Sequence, residues 1–337
     1  MNRVNLDPVI EKIIRVLRAH KLPSPGEYCR FLRDSPERNR KLGNNEYGCA
    51  DAVNIRYSLG MPGAEPGERE ETIRVLQAFQ DPESGLFQER DHHPFHTTAH
   101  CVAALEILDA APLHPVRALE QYETPEGIRT LLESLDWRGN PWGQSHRGAG
   151  VFAALLILHR GGLAWQDVYF DWLDRHNDPQ RGLGIRGAFG EKPLCHHLNG
   201  WFHYLFNYLA ARRPFPHPEA LIDSCLELYR RDALGEPPQV IFARECSFRE
   251  IDWIFAVHRA SRQTPHRHAE CRELLRDCAG RFVSYLASAD ETADEGVNDL
   301  HRLFGAVCAL SELQLALPGE LCSTVPLRNV LDRRPFI

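Results

Sequence analysis

With 337 residues, 43% of them hydrophobic and 25% charged, the chain has the composition of a globular protein with a full core. Its net charge of −7 excludes a general electrostatic attraction to nucleic acid or to an anionic membrane surface. Ten cysteines without a C-x-x-C pair read as reduced, buried thiols, and the seventeen histidines and six tryptophans stand out.

Apolar residues at helical spacing (Val9, Ile10, Ile13, Ile14, Val16, Leu17) predict a first helix over residues 7–20, with Asp7 as N-cap and Pro8 in the first turn. A turn-rich loop and a basic stretch over 30–40, read as a solvated face, lead to a short helix over 46–57 that ends at Gly60. A second pair follows: an amphipathic helix marked by Ile73, Val75, Leu76 and Phe79, a turn over 81–87, and a more uniformly apolar helix from His96. The third opens on Thr124-Pro125-Glu126 and continues past Trp142 and Ser145-His146 into an apolar run over 149–158. The fourth comprises residues 165–176, a glycine-rich loop, and a histidine-dense head over 193–203 running into 204–210. The fifth covers 218–231, a turn over 235–238 and 245–254; the sixth covers 267–286, an acidic loop and 298–313.

The heads of the second helices are Asp51, His96, His146, His196, Ser247 and Asn298, which recur with a period of about fifty residues. Six repeats of one amphipathic and one nearly all-apolar helix predict an all-α fold, since no alternating β-branched runs occur. The expected architecture is a six-hairpin (α/α)6 toroid, a single domain over 1–337. Its repeats fall at 7–60, 67–110, 125–160, 165–211, 218–261 and 267–315, followed by a tail at 316–337. The first residues lack the apolar centre of a signal peptide, and no run approaches ~18 apolar residues. The expected setting is cytoplasmic, with no integral membrane segment.

The units Asp81-Pro82-Glu83-Ser84-Gly85-Leu86-Phe87 with His96-Thr97-Thr98-Ala99-His100, and Asp299-Leu300-His301-Arg302-Leu303-Phe304, resemble repeats of the terpenoid cyclase and protein prenyltransferase superfamily. The resemblance spans about residues 7–315 and implies a toroid with a central substrate cavity, by family an isoprenoid one. The superfamily's Asp-x-Asp-Asp acid motif and Asp-Asp-x-x-Asp magnesium motif are both absent here. Its zinc motif, Asp-x-Cys with a later His, is matched by letter at Asp223-Ser224-Cys225, but mid-way along an outer helix, which reads as one solvent-facing and one core residue.

In such a ring the second helices start at one end, so their heads converge on one mouth. The candidate catalytic residues are His146, His196, His197, Asp51, Asp252 and Asp299. Candidates for substrate binding are His96, His100, Trp142, Asn199, Arg249 and Trp201. For Asp51 and Asn298 the competing explanation is helix capping, worth ~1 kcal/mol each; histidine is a poor cap and tends to handle protons or metals. A divalent metal, zinc or magnesium, is a candidate cofactor, with Cys246, Asp252 and His301 as a zinc-type ligand set. Three functions fit: acid–base or metal-assisted chemistry on a small-molecule, possible isoprenoid, substrate; carbohydrate chemistry as a lyase, epimerase or hydrolase; or non-catalytic binding.

Overall fold

Turn formers and caps cut the chain into helices where local chemistry dictates. The computed structural model describes residues 3–34, 42–160, 162–233 and 246–336. Its helices are α1 (Asp7–His20), α2 (Glu46–Ser58), α3 (Arg69–Ala78), α4 (Pro94–Ile107), α5 (Pro125–Glu133), α6 (Pro141–Ile157) and α7 (Ala164–His176). Then follow α8 (Leu194–Ala210), α9 (Pro218–Ala233), α10 (Arg249–Ser261), α11 (His268–Ser288), α12 (Glu295–Asn298), α13 (Leu300–Ala316) and α14 (Val330–Arg333). Proline occupies the first turn of α1, α4, α5 and α6, where its missing N–H leaves no bond unmade. Asn45, Thr124, Asn140 and Asp299 accept backbone N–H bonds at the starts of α2, α5, α6 and α13.

Asp7 departs from its expected role as a cap. It lies inside the first turn of α1, and its carboxylate accepts from the Thr324 amide and hydroxyl, both at 2.8 Å. That contact ties the first helix to the C-terminal segment. Beside it, β1 (Val4–Asn5) pairs in parallel with β2 (Leu321–Cys322), Val4 opposite Leu321. Two-residue strands are too short to leave an alternating pattern in the sequence.

Helices α2, α4, α6, α8, α10 and α13 are buried around most of their circumference, whereas α1, α3, α5, α7 and α11 bury one face. Each of the six buried helices packs on the next, and α13 packs back on α2. Glycine makes two of these approaches possible. A Cβ at Gly150 would meet the His96 amide nitrogen at 3.1 Å, and one at Gly200 would meet the Pro141 carbonyl oxygen at 2.6 Å. Each glycine therefore seats its helix on the head of the preceding one.

The tail does more than close the chain. Helix α14 packs on α8 and α2. Arg334, buried, donates to Ala103 O at 2.8 Å, Phe336 O at 2.9 Å and Asn54 Oδ1. Phe336 is fully buried, its ring 4.7 Å from that of His96 and 5.7 Å from that of Phe206. The basic stretch also differs from expectation: Arg30 is buried between Asp299 and Glu89. Residues 35–40 of that stretch and the turn at 235–238 lie outside the described residues. All ten cysteines are free, nine of them buried. No helix among the described residues is long and apolar enough to cross a membrane.

Candidate active site

Helical spacing sets up the site two residues at a time. Tyr47 and Asp51 stand one turn apart on α2, as do His96 and His100 on α4. Because α2 packs on α4 at one side and α13 at the other, these four side chains meet His301 from the head of α13. Asp51 Oδ1 accepts from His100 Nε2 at 2.9 Å and from His301 Nδ1 at 3.0 Å. Tyr47 lies between two imidazoles, 4.5 Å from the His92 ring and 4.8 Å from that of His100, both stacked. Its hydroxyl is 2.7 Å from His96 Nδ1.

A second group continues from His96 along the ring of helices. His146 of α6 approaches His96 at 4.3 Å between ring centroids, and His203 of α8 lies 5.4 Å from His146 and 5.6 Å from His96. His92 stands between the two groups, 5.6 Å from His146 and 5.3 Å from His301. Its Nδ1 is 3.1 Å from Glu89 Oε2, and Glu89 receives Arg30, whose guanidinium also binds Asp299 at 3.0 Å. The charged chain Asp299–Arg30–Glu89 thus braces the histidines from one side.

Burial dominates the electrostatics. It pushes the imidazoles of His92, His96 and His146 well below the ordinary histidine range, with neighbouring cationic or titratable groups adding to the effect, and His203 falls to about 4. These rings are neutral at neutral pH and keep one lone pair each. Burial alone would raise the Asp51 carboxyl, but His301 and His100 outweigh it and hold the group well below the usual carboxylate range. Asp299 follows the same logic, with Arg30 overcoming desolvation.

The structure brings Asp51, His96, His100, His146 and His301 together, with Asp299 alongside through Arg30. Trp142, 44% exposed, stands edge-on to His146 at the surface of the cluster, with ring centroids 4.5 Å apart. Other expected residues stand elsewhere. His196 and Arg249 are exposed. His197 is buried against Phe189, with no hydrogen-bond partner at either ring nitrogen among the described residues and with burial lowering it to about 4. Trp201 packs on Trp137 and Tyr204 in the core. Asp252 is buried next to the Asn199 amide, which reaches its Oδ2 at 3.1 Å when that amide's nitrogen faces it.

Cys246, Asp252 and His301 do not come together as a zinc set. Cys246 packs on Gly296, and its amide donates to the Tyr285 hydroxyl. His301 is turned to Asp51 instead, and the groups able to share an ion among the described residues are His96–His146–His203 and Asp51–His100–His301. Asp223 is half-exposed and paired with His266 and Arg267, and Cys225 is fully buried, as the sequence implied.

Sequence reasoning missed Tyr47, His92, His203, Arg30 and Glu89 as parts of the site. Two had a usable signal: Tyr47 lies one turn before Asp51, and His203 interrupts an apolar helix two turns after His196. A scan against protein-family models finds no match to this chain, and neither the search of curated proteins nor that of solved structures finds one.

Proposed function

We propose that the chain is an (α/α)6 toroid enzyme that performs acid–base chemistry on a small polar molecule at the histidine-lined end of its central cavity. The fifty-residue period and the cyclic packing of six buried helices support the toroid. The single observation carrying the chemistry is the 3.0 Å bond from His301 Nδ1 to Asp51 Oδ1. A carboxylate that accepts the Nδ1 proton fixes the tautomer, leaves Nε2 with its lone pair, and stabilises the imidazolium formed when Nε2 takes a proton. The buried hydroxyl of Tyr47, whose ring stands edge-on to His301 with centroids 4.7 Å apart, is a neutral donor able to return a proton.

Polar substrates fit this reading better than long isoprenoids. The groups around His301 are imidazoles, a phenol and a carboxylate, with one apolar ring, Phe248, at 4.4 Å, and the space beneath His96 and His100 is taken by Phe336 and Arg334. Within carbohydrate chemistry the arrangement favours a lyase or epimerase, which needs a base, over a hydrolase, which needs two available carboxylates. Asp51 and Asp299 are already committed to His and Arg partners. Ten free cysteines support a reducing, cytoplasmic setting.

Thermal-shift screening of the full chain against uronates, aldoses and isoprenoid diphosphates tests the proposal. A sugar-type ligand that raises Tm in wild type and not in His301→Gln supports it. A response to isoprenoid diphosphates alone, or one that His301→Gln leaves intact, overturns it.

A further inference from the structure

Three histidines from three successive buried helices converge without bonding to one another. One ligand nitrogen each from His96, His146 and His203 lies within 4.8 Å of the other two, and all three residues are buried. A mutual hydrogen bond would explain such a cluster, but the ring nitrogens are engaged elsewhere or not at all. His203 Nδ1 is 3.0 Å from Ser145 Oγ, which itself donates to Trp142 O at 2.6 Å. Ser145 has one proton and has used it, so it accepts from His203 Nδ1–H, and Nε2 of His203 carries the lone pair. The Tyr47 hydroxyl lies 2.7 Å from His96 Nδ1, and with Nδ1–H donating to the hydroxyl oxygen, Nε2 of that ring carries the lone pair for a ligand. His146, only 4% exposed, forms no hydrogen bond through either nitrogen among the described residues.

We propose that His96, His146 and His203 bind one first-row divalent cation of the zinc class. Three neutral imidazoles with a fourth position open are a donor set for zinc, cobalt(II) or nickel(II), and a poor one for magnesium or calcium, which take oxygen ligands. Nitrogens at about 2.0–2.1 Å from one tetrahedral ion stand about 3.3 Å apart, so the histidines close on the ion by small side-chain rotations. Ser145 and Tyr47 then act as the outer hydrogen-bond partners that metal-bound histidines almost always have. His92, stacked on His96 at 4.9 Å with its Nδ1 held by Glu89, stands beside the three ligands. This inference goes beyond the acid–base reading and does not depend on it: the ion binds whether or not Asp51 and His301 turn over a substrate.

Zinc uptake by the full chain tests it without any turnover assay. The chain is stripped with a chelator, equilibrated with zinc and measured by metal analysis, with affinity read by competition against a chromophoric chelator. His146→Ala and His203→Ala are each expected to hold one equivalent fewer than wild type. Ser145→Ala, which keeps all three ligands, is expected to bind 10- to 100-fold more weakly; it carries the test if the histidine variants fail to fold. Asp51→Asn is expected to keep the ion. A wild-type chain that takes up no zinc, or an ion lost in Asp51→Asn and kept in His203→Ala, overturns the assignment. So does an affinity that Ser145→Ala leaves unchanged.

Discussion

Asp51 on α2 and His301 on α13 stand 250 positions apart in sequence and 3.0 Å apart at Oδ1 and Nδ1, across the contact where the last buried helix meets the first. Replacing Asp51 by Asn keeps the shape and removes the charge that both His301 and His100 address. Hydrogen bonds to a charged group contribute about 1.5–3 kcal/mol, so Asp51→Asn is expected to cost roughly that amount in urea denaturation at pH 7. Because the folded carboxyl is depressed below its unfolded value of 3.8, its contribution is present above that pH and is lost as pH falls further. The acid limb of the stability curve below pH 3.8 should therefore be shallower in Asp51→Asn than in wild type.

Asp252 carries the opposite sign. Burial first, then the charge of Glu250, raises its carboxyl well above 3.8, and Arg249 offsets this only in part. The unfolded chain gives up this proton more readily than the folded one, so the residue costs stability as pH rises past 3.8. Asp252→Asn is expected to raise stability at pH 7 by about 0.5–2 kcal/mol, with the gain vanishing below pH 4. Calorimetric Tm against pH measures both. An unchanged or lower Tm at neutral pH would show the carboxylate to be ionised and paired.

Gly200 sets the spacing of α8 on α6. A methyl there meets the Pro141 carbonyl oxygen at 2.6 Å, a backbone atom that moves only with the head of α6. Gly200→Ala should lose about 1–3 kcal/mol by overpacking, despite the better helix propensity of alanine. The displaced head carries Trp142, Ser145 and His146, so zinc affinity should fall with stability in this variant.

Phe336 fills space between α4 and α8. Its truncation to Ala leaves an apolar cavity under His96 and is expected to cost about 3–5 kcal/mol if the tail stays in place. The same variant should admit larger ligands, measured as new Tm shifts from hydrophobic probes that wild type ignores.

Much of this molecule could be read from its residues, and the parts that could not share a cause. Periodicity marked the helices and the fifty-residue repeat because helical spacing is local. It also placed Asp51, His96, His146 and His301 at helix heads. Which heads face one another is decided by helix rotation and by residues outside the repeat. His196 matches His146 in sequence register, yet it is exposed, and His203, two turns deeper, takes the position beside His146. Arg30 looked like part of a solvated basic run because its partners, Asp299 and Glu89, come from distant segments. Phe336 left no signal, since one aromatic near a chain end has no period.

Histidine side-chain 15N–1H correlation of the full chain at pH 8 tests the central claim, the protonation pattern of the cluster, most directly. The predicted pattern is Nδ1–H with a lone pair on Nε2 for both His301 and His203, the first set by Asp51 and the second by Ser145. An Nε2–H tautomer at His301 would leave Asp51 without that proton and contradict the proposed role of His301 as base.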